Sequence, residues 1–338
     1  MAKMAPHFFF IVVTLLANQM IAQALPLCTQ TRSASLPSYS VLDFDNDGIS
    51  EIVGVKSTGS IVKFSWYSSR LSKVLTQRLV GQWPAVGDYD GDGIWDFATI
   101  TNQEGKLKWT VVTSKNKSKN EFLLGDIGDT VLLGCRLVKN RNHTATIFRE
   151  KERTISMLDI IDISNRSVEL SIVGQGDPVG CMDTDGDGLD EIVFRVPGDT
   201  VNNDTLLTSS GRGIALSLQQ VPVFRSSTIV RFPCGAPSSL ALSHGLISPN
   251  NRLVQGVVLA ANSFFPEIVV PLKVTIGSGV FKYQNIVRPA LLWQPHSNGN
   301  IYSRFLGKNT STRKIAKLKR GYTLVKVGGI IRTETRVR

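Results

Sequence analysis

The chain is built of short apolar runs of four to eight residues, many alternating with polar positions and separated by turn residues every eight to twelve. SIVKFSWY from Ser60 and KLKWTVV from Lys106 place side chains on alternate faces with period two, and β-branched runs such as Ile192-Val193-Phe194 recur between them. That is the pattern of half-buried antiparallel strands. No stretch carries a convincing amphipathic-helix pattern, so an all-β fold is predicted.

Three segments punctuate these runs: DFDNDGISE from Asp43, DYDGDGIWD from Asp88 and DTDGDGLDE from Asp183. Each has Asp at positions 1, 3 and 5, Gly at 6 and an acid at 9. Their starts are 45 and 95 residues apart, the second gap being two periods with one unit hidden inside. Sliding the second unit forward by 47 uncovers it, matching Gly81 with Gly128, Gly87 with Gly134 and Ala98-Thr99-Ile100 with Ala145-Thr146-Ile147. In that alignment Cys135, Leu137, Lys139 and His143 replace the four acids, and Lys139 is expected to fill the space with its own charge. Units then begin near Leu36, Gly81, Gly128 and Gly176. A unit of about 45 residues holding four strands is one blade of a β-propeller, and it needs its neighbours to bury its faces.

Alternate Asp residues in a tight loop converge several carboxylate oxygens on one point, and the position-6 Gly allows the turn that returns the position-9 acid to it. An all-oxygen donor set suits a hard divalent cation such as calcium. An EF-hand also requires a bidentate Glu at position 12 and flanking helices. Position 12 is Gly54, Thr99 and Phe194 here, and strands follow, so an EF-hand is excluded.

The pattern G-x-x-x-x-x-G-D-x-D-G-D-G-x-x-D followed by a strand, most complete from Gly81 to Ile100, resembles the FG-GAP or VCBS-type repeats of integrin α-subunit propellers and of bacterial exported proteins. The resemblance covers roughly Leu36 to Val230. It implies about three structural calcium ions, held by Asp43, Asp45, Asp47 and Glu51, by Asp88, Asp90, Asp92 and Asp96, and by Asp183, Asp185, Asp187 and Glu191. The carbonyls of Ile49, Ile94 and Leu189 would complete the sites.

The N-terminus changes the expected compartment. Lys3, an apolar run from Phe8 to Ala17 and the triplet Ala22-Gln23-Ala24 read as a signal peptide over residues 1–24. The run is about half the length a spanning helix needs, so no transmembrane span is expected and the protein is read as secreted or cell-surface, with the periplasm as the alternative, after cleavage near Ala24. Four cysteines in an exported chain suggest two disulfides, for which three connectivities exist. Cys135 with Cys181, from adjacent blades, and Cys28 with Cys234, joining the ring's entry to its exit, are expected.

Residues 25–234 are assigned to the propeller repeats and 235–338 to a basic C-terminal β region. The region is long enough for two further degenerate blades, but it lacks the repeat glycine frame, and a distinct β module is the expected reading. The net charge of +11 concentrates there: eleven Lys or Arg from Arg304 onward face one acid, Glu334. An anionic polymer is therefore the expected partner of this tail, and nucleic acid is not expected for the chain as a whole.

No G-x-S-x-G, H-E-x-x-H or P-loop motif occurs, which argues against the commonest hydrolase mechanisms. His143 with Cys135 falls short of a zinc ligand set. The five tryptophans are expected to pack blades. A binding or adhesion scaffold for a cell-surface protein or glycan is the predicted function, and a propeller-type polysaccharide lyase or glycosidase with structural calcium is the alternative.

Overall fold

The computed structural model describes residues 42–68, 70–137, 143–158, 168–171, 176–183, 189–196, 204–209, 215–221, 224–230, 239–247, 253–259, 268–270, 274–283, 286–296, 298–306 and 311–333. Among them, 25 strands form six antiparallel sheets. The first sheet holds β1 (Val53–Thr58), β2 (Ile61–Ser68) and β3 (Lys73–Val80); the second holds β4 (Trp83–Pro84), β5 (Phe97–Gln103), β6 (Lys106–Val112) and β7 (Lys119–Asp126). The third holds β8 (Thr130–Leu132), β9 (Ala145–Arg149), β10 (Thr154–Leu158) and β11 (Val168–Ser171); the fourth holds β12 (Asp177–Met182), β13 (Glu191–Val196), β14 (Asp204–Ser209) and β15 (Ala215–Val221). The fifth is β16 (Phe224–Val230), β17 (Ser239–Ile247), β18 (Leu253–Leu259) and β19 (Ile268–Val270); the sixth is β20 (Val274–Tyr283), β21 (Ile286–Pro295), β22 (Asn300–Phe305) and β23 (Arg313–Lys317). Each sheet is a meander, as short connections between alternating strands require.

First strands of successive sheets touch, β8 on β12, β12 on β16 and β16 on β20, and the sixth sheet returns to the first through β24 (Thr323–Leu324). The fold is a β-propeller. Residues 235–338 are not a separate module. The expected boundary at Cys234 falls between β16 and β17, which pair with each other from Phe224 to His244, so it divides one sheet. Further blades, lacking the acidic loop, are what the tail contains.

Closure uses the C-terminus. Strand β24 adds to the inner edge of the first sheet, with Gly54 opposite Leu324 and Val55 opposite Thr323. The chain then crosses towards the third sheet, where β25 (Ile330–Arg332) pairs with β8. Val325 N–H donates to the Val53 carbonyl at 2.9 Å, and Leu133 N–H donates to the Gly329 carbonyl at 3.0 Å. Leu324, Val325 and Val327 are buried, and side chains of this size contribute about 1.5–3 kcal/mol each when fully buried.

The core lies between sheets. Val62, Phe64 and Trp66 from the inward face of β2 meet Phe97 and Val112 of the second blade. Ala98, Ile100 and Trp109 meet Ala145 and Ile147 of the third. Trp66, Trp95, Trp109 and Trp293 are all buried, in keeping with a packing role. Cys135 and Cys181 form a disulfide with Cα atoms 5.5 Å apart, joining third and fourth blades; Cys28 and Cys234 lie outside the described residues, as does the leader. Among the described residues, no helix is long and apolar enough to cross a membrane.

Candidate metal centres

The acidic loops lie at the inner strands of their blades. The second joins β4 to β5, and the loop from Asp183 to Glu191 joins β12 to β13. The first precedes β1, whose inner partner is β24, so this blade combines both ends of the chain. At position 6, Gly48 and Gly93 have φ of +82° and +87°, the left-handed region that a side chain disfavours, and no atom lies near enough to obstruct the turn.

In the first loop, one carboxylate oxygen from each of Asp43, Asp45, Asp47 and Glu51 lies within 4.8 Å of the others. Backbone donors orient them. Asp43 accepts from Asp47 N–H at 3.2 Å and Gly48 N–H at 2.9 Å, Asp47 accepts from Ile49 N–H at 2.8 Å, and Glu51 accepts from Phe44 N–H at 2.6 Å. Ser68 Oγ donates to one oxygen of Asp45 at 2.5 Å, while the other, Oδ1, is buried without a hydrogen-bond donor.

The second loop repeats the arrangement with Asp88, Asp90 and Asp96. Asp96 accepts from Tyr89 N–H at 2.9 Å and Ser114 N–H at 2.7 Å. Asp92 lies outside that mutual 4.8 Å group; it caps Ile94 N–H at 2.8 Å and has Lys115 Nζ 3.8 Å away. Asp88 is 2 % exposed, and its Oδ1 has no hydrogen-bond donor. Of the loop from Asp183, Asp183 is buried, Leu189 and Glu191 are described, and Asp185 and Asp187 lie outside the described residues.

Burial and mutual repulsion disfavour the ionised form of these carboxylates. Burial, followed by the charges of Asp45, Asp43 and Asp47, pushes Glu51 up to about 9 against the opposing Phe44 N–H. Burial and then Asp90 push Asp96 up to about 8. Asp43 and Asp88 rise to about 6, chiefly through burial. Converging, desolvated acids of this kind can take up a hard cation, which would replace the protons.

The third loop differs from the one-period alignment by a residue. Glu51 N–H bonds the Leu42 carbonyl and Asp96 N–H bonds that of Gly87; the corresponding bond in the third blade is Thr144 N–H to Cys135. Arg136, not Cys135, thus occupies position 1, and Thr144, not His143, occupies position 9. The positive charge of Arg136 lowers the pKa of Asp88 against the effect of burial. Lys139, expected to supply this charge, lies outside the described residues. A zinc role for His143 and Cys135 is removed, because Cys135 is in the disulfide and His143 Nδ1 accepts from Asp88 N–H.

A backbone belt links the loops. Trp95 N–H donates to the Asp43 carbonyl at 2.7 Å, His143 N–H to that of Asp88 at 2.6 Å and Asp190 N–H to that of Arg136 at 2.7 Å. Position-8 side chains reinforce it where they can accept, Asp88 N–H bonding His143 Nδ1 at 2.5 Å and Arg136 N–H bonding Asp190 Oδ2 at 2.7 Å. The belt was not anticipated from sequence, although an acceptor at position 8 in the third and fourth units was its available sign.

No protein-family model matches the chain. No curated protein matches it either. Among solved structures, a protein from Lactobacillus plantarum is similar over 79% of this chain and 82% of its own, at 8% identity and TM-score 0.39. The β-propeller domain of the Trilobed protease from Pyrococcus furiosus, titled as revealing an open velcro topology, is similar over 82% of this chain and 84% of its own, at 7% identity and TM-score 0.29.

Proposed function

We propose that this protein is an exported, calcium-stabilised propeller of the FG-GAP type that serves as a binding or adhesion scaffold for a cell-surface protein or glycan. The observation that carries the calcium reading is the pair of convergent carboxylate clusters, each retaining a buried oxygen without a donor, on Asp45 and on Asp88. An unpaired buried acceptor costs about 1–3 kcal/mol, more when charged, and a cation would remove that cost at both places. Asp43, Asp45, Asp47 and Glu51 would hold one ion with the Ile49 carbonyl, and Asp88, Asp90, Asp92 and Asp96 a second with that of Ile94. A third is assigned to Asp183, Asp185, Asp187, Leu189 and Glu191.

The ions are structural in this reading. Each loop takes its ligands from one blade, and the belt couples it to the next, so a bound cation stiffens the ring without touching a substrate. The scaffold reading draws on the absence of hydrolase motifs and on the commitment of the clustered acids to the loops. Calorimetric titration of metal-stripped protein with calcium tests it: three sites are expected, and no heat of binding together with no rise in melting temperature would reject it.

A further inference from the structure

Ring closure brings together two basic segments that are far apart in sequence. From Ile52 to Gly87 there are five Lys or Arg and no acid, and from Ser311 to Thr333 there are seven and no acid. Pairing of β24 with β1 makes them neighbours.

The strand registers align part of this charge. Lys56 is opposite Lys63 across β1 and β2, and Lys63 is opposite Arg78 across β2 and β3. Directly paired residues share a face, so the three cations form one row, stepping about 4.8 Å from strand to strand. It is the face turned away from the Phe64–Phe97 core. At its inner end stands the turn closed by Tyr322 N–H to the Lys319 carbonyl, whose Lys319 and Arg320 are exposed. A Cβ on Gly321 would lie 3.4 Å from Lys56 Nζ, which places that turn against the row.

Like charges paired directly across strands destabilise a sheet. Among the described residues, none of Lys56, Lys63, Arg78, Lys319 and Arg320 has an acidic partner to relieve this. The sixth blade covers only the inner part of the face: a Cβ on Gly54 would meet Leu318 at 2.9 Å and Tyr322 at 3.3 Å. Further out, Tyr67 is 53 % exposed and paired with exposed Val74, and exposed Ile61 pairs with exposed Val80. The outer face is thus a cationic row flanked by apolar side chains, one of them an aromatic ring.

We propose that this face of the first blade, with the 319–321 turn, binds an acidic polysaccharide. Strand spacing sets the cations at intervals comparable to one pyranose residue of an extended chain, so successive carboxylates or sulfates can each meet one. The exposed Tyr67 ring offers the apolar surface on which a sugar face stacks. The inference rests on the binding-scaffold reading and names its ligand class.

The experiment uses the full chain with calcium, immobilised heparin and soluble polygalacturonate as probes, and duplex DNA of matched charge as comparator. Lys63→Gln with Arg78→Gln, and separately Lys319→Gln with Arg320→Gln, should each weaken polysaccharide binding at least tenfold and flatten its salt dependence, with no fall in melting temperature. Lys106→Gln, which removes an exposed ion pair with Asp126 on the second blade, should leave binding unaltered. Wild-type affinity in either double variant, or tighter binding of DNA than of both polysaccharides, would overturn the proposal. Failure to bind polysaccharide with normal calcium uptake rejects this proposal alone; retained polysaccharide binding without calcium uptake rejects the loop reading alone.

Discussion

Asp88 and His143 are joined by two reciprocal hydrogen bonds, Asp88 N–H to His143 Nδ1 at 2.5 Å and His143 N–H to the Asp88 carbonyl at 2.6 Å. Both residues are buried, and the His143 ring stands edge-on to Trp95 with centroids 4.9 Å apart. The blade whose loop lacks the acids therefore fixes the backbone of Asp88, which carries the first carboxylate of the loop before it. His143→Ala should leave Asp88 N–H buried without an acceptor, costing about 1–3 kcal/mol. Urea denaturation should record that loss, and calcium affinity should fall at the second loop while the first is unchanged.

Metal-free stability should depend on pH in an unusual direction. The folded-state pKa values of Glu51, Asp96, Asp43 and Asp88 are raised to about 9, 8, 6 and 6. A raised carboxylate pKa contributes stability that is full below the unfolded value, near 4, and is lost as pH rises through the folded value. Without calcium, melting temperature should fall between pH 4 and 9. With calcium the decline should shrink, and the increment due to calcium should grow with pH. Thermal melts across that range, with and without chelator, check both signs.

The C-terminal strands should be required for closure. Leu324 is buried between the first and sixth sheets with Leu292 and Ile301, and Leu324→Ala should cost about 2–5 kcal/mol, the range for buried leucines. Deletion from Gly321 onward should lower the melting temperature far more and expose the inner edge of β1. Scanning calorimetry of both variants is the measurement.

The disulfide between Cys135 and Cys181 closes a 46-residue separation. On the chain-entropy account, a loop of that size is stabilised by about 4 kcal/mol. The Cys135→Ala, Cys181→Ala double variant should lose roughly 2–4 kcal/mol in urea denaturation, and reductant should act on the native protein but not on the variant.

Much of this was legible in the chain itself. Alternation in SIVKFSWY matches a burial pattern in which Val62, Phe64 and Trp66 are inside and Ile61 and Tyr67 outside. The spacing of Asp43 from Asp88 matches one blade, and the pairing of Cys135 with Cys181 was expected. The third unit was misaligned by one residue because Ala145-Thr146-Ile147 copies Ala98-Thr99-Ile100 in letters alone. Ala98 and Ile100 pack against Ala145 and Ile147, so one pair faces forward round the ring and the other backward. Period two means that a slip of one residue reverses every side chain. Residues 235–338 were harder because blades five and six lack the glycines and acids that mark the others. What makes them blades is the meander pairing of β16–β19 and of β20–β23, and closure onto the first sheet through Gly54 opposite Leu324 is a long-range contact that leaves no local mark.

Calcium titration by calorimetry, comparing the wild type with Glu51→Gln and Asp96→Asn, bears most directly on the central claim. Glu51 and Asp96 each return the position-9 carboxylate to its cluster while accepting a backbone N–H, a bond that the amide oxygen can keep. The account predicts three sites in the wild type and one fewer in each variant, with the remaining affinities within a few-fold of the original. Equal stoichiometry in all three proteins, or no calcium uptake in any, would contradict it.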